Sequence, residues 1–127
     1  MRALVFTLTV ALALTSLTPG LARAQEMTVQ QFLTRTERIP RNPLALLSPD
    51  VGRLKRVYEQ ALSTVYREQM LAQREGRRPA TCIPSSFSMS DTEALGYFNA
   101  IPRQRREAMT VTQGVRGWMA RRFPCSA

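Results

Sequence analysis

Cys82 and Cys125 are the only cysteines in the 127-residue chain, so an internal disulfide has to join these two. The bond would close a ring of about 44 residues. On the chain-entropy view that destabilises the unfolded state by about 4 kcal/mol. Against a net stability of roughly 5–15 kcal/mol for a small domain, one such staple is a large share. A redox-active pair would place its thiols close together in sequence and lower the pKa of one of them. Here the cysteines stand far apart, in Cys82-Ile83-Pro84 and Phe123-Pro124-Cys125. The pair is expected to be structural, provided the chain reaches an oxidising compartment.

The N-terminus meets that condition. Arg2 supplies a positive start, and Ala3 to Leu17 is apolar apart from threonine and serine. Pro19-Gly20 breaks the run, and Ala22-Arg23-Ala24 has the pattern of a signal-peptidase site. Residues 1–24 are expected to be a signal peptide cleaved after Ala24, and residues 25–127 a single helical domain. The apolar run falls short of the roughly 20 residues of a membrane span, and no later segment is apolar enough to make one. No cysteine lies near the cleavage site to carry a lipid. The expected location is the periplasm of a Gram-negative cell. Setting aside Arg2 and Arg23 lowers the formal charge from +9 to +7. Such a balance suits acidic proteins, anionic headgroups or the carboxylates of peptidoglycan. Nucleic acid is not expected as a partner of an exported chain.

Apolar spacing and caps predict an all-α fold, a small bundle of four to five helices with one disulfide. Thr28-Val29-Gln30-Gln31 forms a capping box for a helix from Met27 to Arg38, with Val29, Phe32 and Leu33 inward. Leu44-Ala45-Leu46-Leu47 reads as one helical turn or a core-anchored loop. Ser48-Pro49-Asp50 opens a long amphipathic helix to about Glu75, terminated by Gly76. Its apolar stripe is Val51, Leu54, Tyr58, Ala61, Leu62, Val65 and Met70. A second capping box, Ser90 to Glu93, starts a helix from Asp91 to Asn99 that buries Ala94, Leu95 and Phe98. Arg103 to Arg106 reads as a basic turn, followed by a last helix from Arg106 to Arg122. Met109, Val111 or Thr112, Val115, Trp118 and Met119 are its expected inward residues. Gly114 and Gly117 imply close approach, to the long helix or across a dimer.

Nothing in this inventory points to an enzyme. There is no histidine, which removes the commonest general base and metal ligand. With both cysteines committed, no thiolate metal site remains, and no cofactor is expected. Asp91 and Glu93 are explained as first-turn and capping residues, and Glu68 and Glu75 as partners of Arg67, Arg74 and neighbouring arginines. Ser85, Ser86, Ser88 and Ser90 crowd one loop, but a serine hydroxyl without a base is not a nucleophile.

Cys82-Ile83-Pro84, a polar loop, the helix opened by Ser90, the Ile101-Pro102 stop and the closing Phe123-Pro124-Cys125 resemble the C-terminal half of the Rap/Tai family. Its members are periplasmic immunity proteins that neutralise peptidoglycan amidases delivered by type VI secretion. The likeness covers Cys82 to Cys125; the rest agrees only in helical layout, and the family's frequent second cysteine pair is missing here. It implies an all-helical, often homodimeric protein whose inter-helix loop plugs the amidase cleft. The corresponding loop is Pro84, Ser85, Ser86, Phe87, Ser88 and Met89, with Arg77, Arg78 and the arginines from Arg103 to Arg106 available to steer an acidic partner. Two other readings fit the same exported chain: a small envelope stress protein of the holdase type, and a basic structural module that binds peptidoglycan or lipid.

Overall fold

The structure, a computed structural model, describes residues 26–126. The expected signal peptide and its expected cleavage point after Ala24 lie outside the described residues. Among the described residues there are five α-helices and one 3-10 helix: α1 (Val29–Glu37), the 3-10 helix (Pro43–Leu47), α2 (Pro49–Arg74), α3 (Asp91–Ala100), α4 (Arg103–Ala108) and α5 (Val111–Arg122). No strand occurs among the described residues, and the small all-α fold is as expected. Cys82 and Cys125 are joined, with their Cα atoms 5.0 Å apart.

Three of the helix starts are capping boxes. Thr28 with Gln31, Ser90 with Glu93 and Thr110 with Gln113 each satisfy two backbone N–H groups reciprocally. The third was not foreseen, and it moves the start of the last helix from Arg106 to Val111. Met109 just before it is extended, at φ −99° and ψ 130°, which no helix passing through it could accommodate. The expected basic turn at Arg103 to Arg106 is instead α4, a short helix with an Arg103–Glu107 ion pair one turn apart at 3.0 Å. Six residues are too few to show an apolar period, so its sequence gave no helical signal.

The first and third boxes also bind each other. Val29 N–H donates to the Met109 carbonyl at 2.8 Å and Val111 N–H to the Met27 carbonyl at 2.9 Å, an isolated antiparallel bridge between Thr28 and Thr110. The matching pieces Thr-Val-Gln-Gln and Thr-Val-Thr-Gln thus start α1 and α5 from one point, and each sinks its valine completely into the core.

That core runs from Val29, Phe32 and Leu33 on α1 through Leu54, Ala61 and Val65 on α2 to Ala94 and Phe98 on α3 and Val111, Val115, Trp118 and Met119 on α5. Phe32 meets Phe98 edge to face at 5.9 Å. The α2 stripe differs from expectation at its C-terminal half: Gln69 and Ala72 are buried, while Met70 is only half-buried. Of the two alternatives for Leu44 to Leu47, the structure shows the helical turn, a 3-10 helix. Leu44, Leu46 and Leu47 are 66 %, 84 % and 79 % exposed, so this turn is not anchored in the core. Ser48 holds the cap position of α2 through its extended backbone, without a capping hydrogen bond from its hydroxyl.

Gly114 and Gly117 allow close approach, but to α1 and α3 rather than to the long helix. A Cβ on Gly114 would lie 2.9 Å from Val29 Cγ2 and 3.1 Å from Phe98 Cε1, both on fully buried side chains. At Gly117 the nearest atom is the Tyr97 hydroxyl at 2.9 Å, the tip of a half-buried side chain that can turn aside. The two positions should therefore respond oppositely to alanine. In Gly114→Ala, overpacking of about 1–3 kcal/mol outweighs a helix-propensity gain of at most about 1 kcal/mol. Gly117→Ala keeps the gain and should be neutral to slightly stabilising. Urea unfolding midpoints of the two variants check this; equal destabilisation would show that both contacts are rigid.

Candidate functional site

The loop from Pro84 to Met89 leaves the disulfide at Cys82 and is fixed at three further points. Phe87 packs edge to face on Phe123 at 5.1 Å. Arg122 donates to the Ser88 carbonyl at 2.8 Å and to Glu93 at 3.2 Å, and its guanidinium lies over the Trp118 and Phe123 rings. The Tyr58 hydroxyl donates to the Met89 sulfur at 3.2 Å. Burial, then the Asp91 carboxylate, push the Tyr58 phenol well above its ordinary range, with Arg122 opposing, so the hydroxyl stays a donor. Phe87 and Met89 are consequently half-buried, whereas Pro84, Ser85, Ser86 and Ser88 are exposed. Of the nominated loop, the Pro84-Ser85-Ser86 tip is the part that projects.

The chain around Cys82 is gripped from below by Gln69. This α2 side chain, 5 % exposed, donates to the Ile83 carbonyl at 3.0 Å and accepts from Ile83 N–H at 2.7 Å and the Thr81 hydroxyl at 3.0 Å. It replaces, for an irregular stretch, the hydrogen bonds that regular structure would supply. A polar residue near the end of an apolar stripe gave no sequence signal for this role. Cys82 N–H adds a bond to the Phe123 carbonyl at 2.9 Å.

Arg77 and Arg78 stand elsewhere. They line a recess of about 320 Å³ with Glu68, Thr81 and Arg116, while Met89 belongs to a different cavity, so the nominated residues do not converge on one. Arg77 is paired with Glu75, and Arg116 on α5 grips Glu68 on α2 through two bonds of 2.9 and 2.8 Å. Glu68 therefore bridges two helices, instead of pairing with Arg67 along its own. Hydrogen bonding to Arg116 holds its carboxyl below the ordinary 4.5.

The second cavity is a groove of about 860 Å³ between α1, α2 and α3. Phe32, Leu33, Leu54, Tyr58, Ala94 and Leu95 form its apolar floor, and Glu37, Arg41, Lys55, Glu59 and Asp91 stand on its rim. Its wall includes Ile39 to Arg41 and Val51, the residues that flank the exposed leucines of the 3-10 helix in sequence. Covering those leucines would return roughly 3–7 kcal/mol, from about 1.5–3 kcal/mol per fully buried leucine. Association costs about 4–15 kcal/mol before any gain appears. That return lies at the low end of the association cost, so the leucines by themselves hold no partner tightly. Among the described residues, no group of three or more histidine, cysteine, aspartate or glutamate side chains is placed to hold a metal, and no helix is long and apolar enough to cross a membrane. No protein-family profile, curated protein or solved structure matches the chain.

The pH response follows from the two carboxylates held low. Glu68 is lowered by Arg116, and Glu93 first by the Ser90 backbone N–H and then by Arg122. A carboxyl whose folded pKa is depressed stabilises fully above its unfolded value and loses that contribution as pH falls through the folded value. The Glu68–Arg116 pair is partly exposed, so solvent screening limits it to roughly 0.2–1 kcal/mol. The melting temperature should be level above about pH 5 and decline below 4.5. Glu68→Gln should melt lower at neutral pH and decline less steeply in acid. A variant with the wild-type acid slope would show that other carboxylates govern it.

Proposed function

We propose that this chain is an exported, non-enzymatic binding protein of the immunity type, which blocks a peptidoglycan amidase effector in the periplasm by direct protein contact. The observation that carries the reading is the projecting tip Pro84-Ser85-Ser86, held between the disulfide at one end and the Phe87, Ser88 and Met89 anchors at the other. A loop fixed before contact loses little conformational freedom on docking, which is the property an inhibitor needs to fill a catalytic cleft. The export signal, the resemblance of Cys82 to Cys125 to the Rap/Tai family, and a basic surface at Arg77 and Arg78 that speeds encounter with an acidic partner support it further. Purified protein should suppress release of muropeptides from sacculi by a type VI amidase at micromolar concentration. Ser85→Arg with Ser86→Arg, exposed changes that leave the anchors intact, should weaken inhibition at least about tenfold, or 1.4 kcal/mol. Undiminished amidase activity at a large excess of the wild-type protein would sink the reading.

The exposed leucines favour one second reading, a small envelope holdase. Under it the protein suppresses aggregation of an unrelated unfolded client, more strongly as acid releases the Glu68 and Glu93 pairs. Client aggregation that is unaffected between pH 7 and pH 4 would remove it.

A further inference from the structure

The groove between α1, α2 and α3 opposes the electrostatic trend of the molecule. The chain carries a formal +7 once Arg2 and Arg23 are set aside. The rim of the groove has three carboxylates, Glu37, Glu59 and Asp91, against two cations, Arg41 and Lys55, a net −1. Lys55 is already engaged by Glu59 at 3.8 Å, which leaves Glu37 and Asp91 exposed on the rim, with Arg41 the remaining cation among the lining residues. Below this rim the floor is apolar, and the exposed leucines of the 3-10 helix lie beside one wall in sequence. From this juxtaposition we infer that the groove is a second docking site, and that it takes an amphipathic segment of a partner protein bearing apolar side chains on one face and lysine or arginine at its edges. An apolar strip would fill the floor, as a helix does in a hydrophobic groove. Its flanking cations would meet Glu37 and Asp91. A basic molecule repels cationic peptides at long range, so selectivity for such a segment has to come from the local rim, and that gives the partner its specificity. The inference rests on the chain being a protein-binding module, but on neither the amidase nor the Pro84–Met89 loop.

Two helical peptides of about 18 residues, long enough to hold structure in water, provide the test. Both carry leucines at helical spacing, one flanked by lysine and the other by glutamate. Binding is followed by shifts of the Met89 methyl and the Tyr58 ring, which both line the groove. The lysine peptide should bind at least about threefold to tenfold more tightly, the size of one or two exposed charge pairs. The exposed pair of changes Glu37→Gln and Asp91→Asn should abolish that preference while leaving the melting curve intact. Leu95→Gln, at the groove floor, should weaken both peptides; circular dichroism establishes that it remains folded. A tighter glutamate peptide would mean that net charge governs and would overturn the inference. So would binding of neither peptide, or a dimer of the pure protein that Leu46→Ser disperses, since a second copy would then cover the face. Protein that binds the lysine peptide but inhibits no amidase overturns only the proposed activity. Inhibition with both peptides silent overturns only the groove.

Discussion

The Cys82–Cys125 bond encloses α3, α4 and α5 in one covalent ring, and most of what is unusual in this fold follows from the need to fasten the other two helices to it. Helix α2 is held by the Gln69 clamp on Thr81 and Ile83 and by the two hydrogen bonds that Arg116 donates to Glu68. Helix α1 is held by the exchange of backbone hydrogen bonds between Thr28 and Thr110 and by Val29 sinking beside Gly114. The ring accounts for about 4 kcal/mol through the entropy of the unfolded chain. The apolar contacts of Phe98, Val115, Trp118 and Met119 then give it one arrangement. The clamp is the more specific device. Removing the Gln69 amide would leave the buried Ile83 N–H and carbonyl unpaired, at about 1–3 kcal/mol for each group.

These fastenings have a consequence at the surface. Loops in small helical proteins usually keep much of their freedom, because few buried contacts hold them. Here Arg122 serves the last helix and the loop together. Its guanidinium stacks on Trp118 and Phe123, pairs with Glu93 at the start of α3, and takes the Ser88 carbonyl. One side chain thus couples the end of the ring to the loop at its beginning. The anchoring of the chain on both sides of the Pro84-Ser85-Ser86 tip is a property of the closed ring.

The groove is a second product of the same geometry. Its floor is made of half-buried and buried residues from three helices, and the Met89 anchor of the loop also stands in its wall. Loop and groove are therefore physically connected through Met89 and Tyr58, although they present different chemistry. The loop tip is small and polar, and the groove is apolar beneath an acidic rim.

Much of the helical layout was legible along the chain because local rules decide it. Capping boxes at Thr28 and Ser90, Pro49 at the head of α2 and Gly76 in the left-handed conformation at its end each mark a boundary through hydrogen bonds within a few residues. The pairing of the disulfide was legible by count, since there are only two cysteines. What the chain by itself left open concerns groups whose partners lie far off. Whether Leu44, Leu46 and Leu47 are inside or outside, whether Gly114 faces α2 or α1, and whether Glu68 pairs along its helix or with Arg116 are decided by packing. So is the burial of Gln69, a polar side chain whose worth depends on an irregular stretch 14 residues away. Sequence determined the caps at Thr28 and Ser90, the helices α1, α2 and α3 and the pairing of the staple, since these are satisfied by neighbours or by the absence of alternatives. Tertiary structure alone decided the pinned loop, the acid-rimmed groove and the clamp, because each is assembled from side chains brought together only when α1 and α2 close against the ring.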